Sequence, residues 1–201
     1  GKVYVEYNGR IEAFDETTLE PVWISEELSH EETNSETGKT TTVDDTIASR
    51  LFYDDGHLYF GTGKNSGSGK YYVIDTKSEK KEDATKTEEI KNVKEIISSE
   101  GSFYLKNAVK VGQYIITSDN QGTISSIDTK NNDKVVSTKE IGKRFSGGIA
   151  YDKTTNMIYF VAGTNDLYGV KVGNDGTFGE EKSVRVYETW YSAMTPEVYN
   201  G

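Results

Sequence analysis

The 201-residue chain has no cysteine, only two prolines and only two histidines. Without cysteine there is no disulfide, no thiolate nucleophile and no cysteine-held metal, while the compartment stays open. No apolar run approaches the ~20 residues that a membrane-spanning helix needs. Basic charge is also short, with 23 Lys and Arg against 33 Asp and Glu, a net charge of −10. Such a field repels polyanions, which argues against nucleic acid and anionic membrane as partners. Apolar content is low at 34%, yet the chain holds 14 Tyr, 7 Phe and 2 Trp. Disordered chains are poor in aromatics, so these point to a folded domain with a polar surface. Twenty glycines point to many tight turns.

What is present is one hairpin, four times. Lys2 to Asp15, "KVYVEYNGRIEAFD", holds two alternating runs joined by Asn8-Gly9, a strong hairpin turn. The same shape recurs in "HLYFGTGKNSGSGKYYVID" (His57 to Asp75), "QYIITSDNQGTISSID" (Gln113 to Asp128) and "MIYFVAGTNDLYGVKV" (Met157 to Val172). A leading strand precedes three copies, in "RLFYDDG", "NAVKVGQ" and "GIAYDKTTN". A trailing strand follows, in "PVWIS", "VVSTKEI" and "KSVRVYE". After the second copy, Ile90, Val93, Ile96 and Ile97 in "KTEEIKNVKEIISS" fit a strand or one helix face, and both remain open. Asp15, Asp75, Asp128 and Lys171 mark the repeat at spacings of 60, 53 and 43 residues. Four-stranded antiparallel units near a 40–50-residue period predict an all-β β-propeller. The excess length falls in polar inserts such as Ser29 to Asp45, read as solvated loops between blades.

"NGRIEAFDETTLEPVW", Asn8 to Trp23, resembles the repeat of the quinoprotein-like (PQQ-like) β-propeller family. Ala13, Asp15, Thr18 and Trp23 match its Ala-x-Asp-x-x-Thr-Gly-x-x-x-Trp pattern, and Leu19 stands where the family has Gly. Asp75 and Asp128 are each followed by Thr but lack the Trp, and the last copy loses the Asp as well. The resemblance implies that Asp and Thr tie the turn between the third and fourth strands, and that the Trp packs between blades. It also implies a leading strand like "TPEVYNG", Thr195 to Gly201, joined to Lys2.

Only the first hairpin lacks a leading strand, so residues 195–201 are expected to pair antiparallel with Val3–Tyr7 and close a four-bladed ring. The expected blades are 195–201 with 1–28, then 47–98, 102–142 and 146–189, within one domain spanning 1–201. The alternative is a piece of a larger, seven- or eight-bladed propeller.

Candidate chemistry is sparse. "GKNSGSGK", Gly63 to Lys70, has glycines and a lysine, but Lys64 stands where a phosphate loop starts with Gly, Tyr71 follows the lysine, and a strand comes next. It reads as a hairpin loop. His30 and His57 lack metal-ligand spacing, and no Gly-x-Ser-x-Gly elbow occurs. The acidic turns "YDDG" and "GNDG" have carboxylates suited to calcium but fall short of a calcium loop, and Asp and Asn turn chemistry explains them. Tyr187, Trp190 and Tyr191 read as inter-blade core in preference to a carbohydrate-stacking platform.

No catalytic, cofactor-binding or metal residue is assigned, and no cofactor. The resemblance implies a non-catalytic binding or scaffold module of an extracytoplasmic, secreted or cell-surface bacterial protein, and a protein or carbohydrate partner is expected. The alternative implied by the resemblance is a quinone-dependent dehydrogenase-like domain with calcium.

Overall fold

The computed structural model describes residues 1–7, 9–76, 88–90, 93–186 and 195–199, with His30 and 88–90 described by their backbone alone. These residues form strands and connections, and no α-helix is found among them. Sheet I is built from β1 (Lys2–Tyr7), β2 (Arg10–Asp15), β3 (Pro21–Ser25) and β9 (Glu88–Ile90), in the order β1-β2-β3-β9. Sheet II is β6 (Phe52–Asp54), β7 (His57–Gly61), β8 (Gly69–Asp75) and β10 (Val93–Ser99), in spatial sequence. Sheet III runs β11 (Ala108–Val111), β12 (Tyr114–Ser118), β13 (Thr123–Asp128) and β14 (Lys134–Glu140). Sheet IV runs β15 (Ala150–Asp152), β16 (Met157–Ala162), β17 (Asp166–Val172) and β18 (Phe178–Arg185). A separate hairpin is made by β4 (Ser29–Thr33) and β5 (Thr40–Asp44). Within sheets II, III and IV every pairing is antiparallel.

Sheets II and III are inner blades because their middle strands are apolar on both faces. Successive strand residues point to opposite faces. In β8, Tyr72 and Ile74 therefore join the core shared with sheet I, while Tyr71 and Val73 join the core shared with sheet III. In β12, Ile115 and Ile116 split in the same way between sheets II and IV. The three cores lie between I and II, II and III, and III and IV. The fold is thus an all-β stack of four-stranded blades, the propeller architecture expected.

The closed ring is not formed by the described residues. No core cluster among them joins sheet IV to sheet I, and residues 195–199 adopt no strand. β1 is an outer strand of its sheet, with Val3, Val5 and Tyr7 exposed together on one face. Thr195 lies beside Gly148 instead, where a Cβ would stand 2.6 Å from its Oγ1, and among the described residues β1 pairs with β2 alone. Residues 200 and 201 lie outside the described set.

Two further expectations change. Within the stretch left open, Glu88–Ile90 and Val93–Ser99 are strands, and Glu88–Ile90 pairs parallel with Trp23–Ser25, adding sheet I's fourth strand at the opposite edge from the one expected. The insert from Ser29 to Asp45 is an exposed hairpin rather than a plain loop. Its β-branched threonines pair across the strands, with Thr33 and Thr40 hydroxyls 2.9 Å apart, and Asn34 Oδ1 caps the turn for Glu36 and Thr37.

Candidate functional site

The stack has two ends, each with a cavity. At the turn end, the connections β6–β7, β11–β12 and β15–β16 meet the turns after β13 and β17 around about 660 Å³. Its polar groups largely satisfy one another. Tyr59 donates to Asp133 at 2.7 Å, Gln113 donates to Asp128 at 2.8 Å, and Tyr151 donates to Asn156 at 2.6 Å. Lys110 pairs with Asp54. Burial and the Asp133 carboxylate push the Tyr59 phenol far up, so it stays a neutral donor. Thr76 and Thr129, which follow the marker aspartates, each bond back to the preceding leading-strand turn, at Gly56 O (2.7 Å) and Gln113 O (2.9 Å). These bonds lock neighbouring turns together and define a structural end.

The loop end is different. Here the β7–β8 loop, the β12–β13 turn and the two inter-blade connections (100–107 and 141–149) enclose about 400 Å³. Asn120 organises it: its Oδ1 accepts from Ser102 N at 3.0 Å, and its Nδ2 donates to Asn65 O at 3.1 Å and Ser102 Oγ at 2.9 Å. Arg144 reaches the same loop, donating to Asn65 O at 2.9 Å and Asn65 Oδ1 at 2.7 Å. Asp119 holds its own turn, its Oδ1 accepting from the amides of Gln121, Gly122 and Thr123 at 2.9 Å. Its Oδ2 accepts from Ser99 Oγ at 2.5 Å.

Lys106 lines this cavity and is only 1% exposed. Its Nζ donates one hydrogen bond, to Phe145 O at 2.9 Å. The other two protons have no acceptor among the described residues, and no carboxylate there stands within ion-pair distance. An ammonium taken out of water with one partner is costly. Burial, aided by the Arg144 charge and opposed by Asp119, lowers its pKa to about 8. Next to Phe145, Ser146 also lines the cavity, and its buried hydroxyl has no hydrogen-bond partner among the described residues. Tyr104 (39% exposed) and Leu105 (54%) add apolar surface at the cavity. Two other cations of this end are engaged by one carboxylate, Asp166 pairing with Lys143 at 3.0 Å and Arg185 at 2.5 Å. Those two donors hold the Asp166 carboxyl below its usual range.

The residues singled out in the sequence take structural roles. Gly63 to Lys70 is the β7–β8 loop and the first two residues of β8, and Lys64 and Asn65 offer carbonyls to Ser102, Asn120 and Arg144 rather than amides to a phosphate. Lys70 pairs with Glu95 at 2.9 Å. His57 opens β7 and lies 6.3 Å from the Tyr59 ring, while His30 is on the β4–β5 hairpin. In "GNDG", Asp175 Oδ1 accepts from Thr177 N and Oγ1, as turn chemistry requires. Among the described residues no group of three or more His, Asp or Glu is placed to hold a metal ion. Tyr187, Trp190 and Tyr191 lie outside the described residues. Lys106 was not legible as a site residue: a lysine in "FYLKNAV" carries no signal that its amine is buried.

Neither a protein-family model nor a curated protein sequence matches the chain. Among solved structures, a chain in the crystal structure of a mitotic checkpoint complex aligns at 13% identity with a TM-score of 0.47, over 96% of this chain and 66% of that one. BamB from Moraxella catarrhalis aligns at 10% identity with a TM-score of 0.44, over 90% of this chain and 60% of that one. This chain therefore spans less than two thirds of either.

Proposed function

We propose that this chain is a non-catalytic, protein-binding scaffold module of an extracytoplasmic or cell-surface bacterial protein. The observation that carries the binding role is the loop-end cavity, where two inter-blade connections and two hairpin loops converge around unsatisfied polar groups beside exposed Tyr104 and Leu105. Loops held by a rigid scaffold are the usual place for recognition. Exposed aromatic and aliphatic side chains beside a cavity are the usual anchors for a partner. The compartment rests on the resemblance of Asn8 to Trp23 to the quinoprotein-like repeat, with the absence of cysteine and the polar, acidic composition in keeping with it.

Selection of displayed random peptides on the whole chain tests the binding role. The expected result is a set of peptides that bind the chain and lose at least tenfold in affinity when Tyr104 and Leu105 are both replaced by Ser. Peptides that bind the double variant equally well, or no enrichment at all, overturn it. A visible absorbance shift on adding pyrroloquinoline quinone and calcium would replace it with the quinone-dependent reading.

A further inference from the structure

We propose that the loop-end cavity is a carboxylate-recognition site, in which the Lys106 ammonium and the Ser146 hydroxyl hold an Asp or Glu side chain of a bound peptide. The inference rests on the protein-binding reading above and names its chemistry.

Three observations converge on it. Lys106 is buried, charged and short of acceptors: one proton goes to Phe145 O and two are left among the described residues. Ser146, next in sequence to Phe145, holds a buried hydroxyl in the same cavity with no partner among the described residues. The neighbouring carboxylate, Asp119, acts on the ammonium only through its field: its oxygens accept from three backbone amides and Ser99, and it makes no ion pair with Lys106. Buried donors left unmade are expensive, and a ligand that accepts from them recovers that cost on binding.

The donor count selects the ligand. Two ammonium protons and one hydroxyl match the two oxygens of a singly charged carboxylate. Arg144 lines the same cavity with its Nη2 bonded to the neutral Asn65, so its charge is not cancelled there and reinforces the attraction for an anion. Tyr104 and Leu105 give the residues flanking the acid an apolar surface, as a peptide requires and a free anion does not. The chain's net charge of −10 gives an acidic segment no general attraction, so recognition is local to this pair.

The experiment uses the whole chain with ¹³C-labelled lysine, reading the Lys106 Cε titration, which Lys106→Met assigns by its disappearance. Sodium propionate, propionamide and inorganic phosphate are added in turn. A carboxylate seated against the ammonium favours its charged form, so propionate should raise the Lys106 midpoint saturably, by about one unit or more. Propionamide should leave it in place, and Ser146→Ala should weaken the propionate effect several-fold. An unmoved midpoint overturns the proposal. So does an equal response with Ser146→Ala, or phosphate acting at lower concentration than propionate. A shifted midpoint with no selected peptides leaves the carboxylate site standing and removes the protein-binding role; selected peptides with an unmoved midpoint do the reverse.

Discussion

Lys106 shows how far a residue's surroundings can depart from its type. Lysine is rarely fully buried, and here the ammonium sits under the inter-blade connections with a single carbonyl for company. Its pKa falls from 10.5 in the unfolded chain to about 8. Below pH 8 both states are charged, and the folded protein carries the whole cost of burying the charge. Between about 8 and 10.5 the unfolded state holds the extra proton, so stability rises with pH across that window. Lys106→Met should therefore stabilise the protein at pH 7, on the order of 1–3 kcal/mol, because an apolar chain fills the same space without desolvating a charge. The gain should shrink as pH climbs through that window. Paired chemical denaturation of both proteins at pH 7 and pH 10.5 measures it, and an equal gain at both pH values contradicts the buried-ammonium account. Nothing in "YLKNA" foretells this, since burial of Lys106 depends on Phe145, 39 residues away.

The turn from β2 to β3 is the element where sequence and structure agree most closely. Asp15 Oδ1 accepts from Thr17 N at 2.8 Å and Thr18 N at 2.9 Å, and Thr18 Oγ1 accepts from Glu20 N at 3.3 Å. These bonds also hold the Asp15 carboxyl below its usual range, the Thr18 amide contributing most. Leu19 then adopts φ 57°, the left-handed region that favours glycine, at the one motif position where the residue departs from the family pattern. A side chain there costs roughly 1–2 kcal/mol, partly offset by the greater freedom of glycine in the unfolded chain. Leu19→Gly should leave stability unchanged or raise it by up to about 1 kcal/mol, whereas Asp15→Ala should lower it through the lost turn hydrogen bonds. Thermal melts of the two variants check the opposite signs. The hairpins were legible because period-two alternation and Gly or Asn turns are local signals. The parallel pairing of Glu88–Ile90 with Trp23–Ser25 was not, because a three-residue strand joined from 63 residues away leaves no local pattern.

At the scale of the whole molecule, blades that touch only their neighbours make stability a sum of local terms. Trp23 is the largest side chain in the I–II core. It is 1% exposed, paired across the sheet with Ala13 and 5.7 Å from the Tyr4 ring. Removing so large a buried side chain usually costs about 3–5 kcal/mol. In a single cooperative core that loss would weaken protection everywhere. Here the III–IV core, built on Ile158, Phe160 and Val170, shares no residue with the core that holds Trp23. Trp23→Ala should therefore speed hydrogen exchange in β1, β2, β3 and β7, while β16 and β17 keep their protection. Ile158→Ala should do the converse, opening β12 and β16 and sparing β2 and β3. Exchange followed by mass spectrometry on both variants separates these outcomes. Uniform loss of protection in either would mean that the stack unfolds as one unit, with coupling between sheets IV and I that the three described cores do not contain.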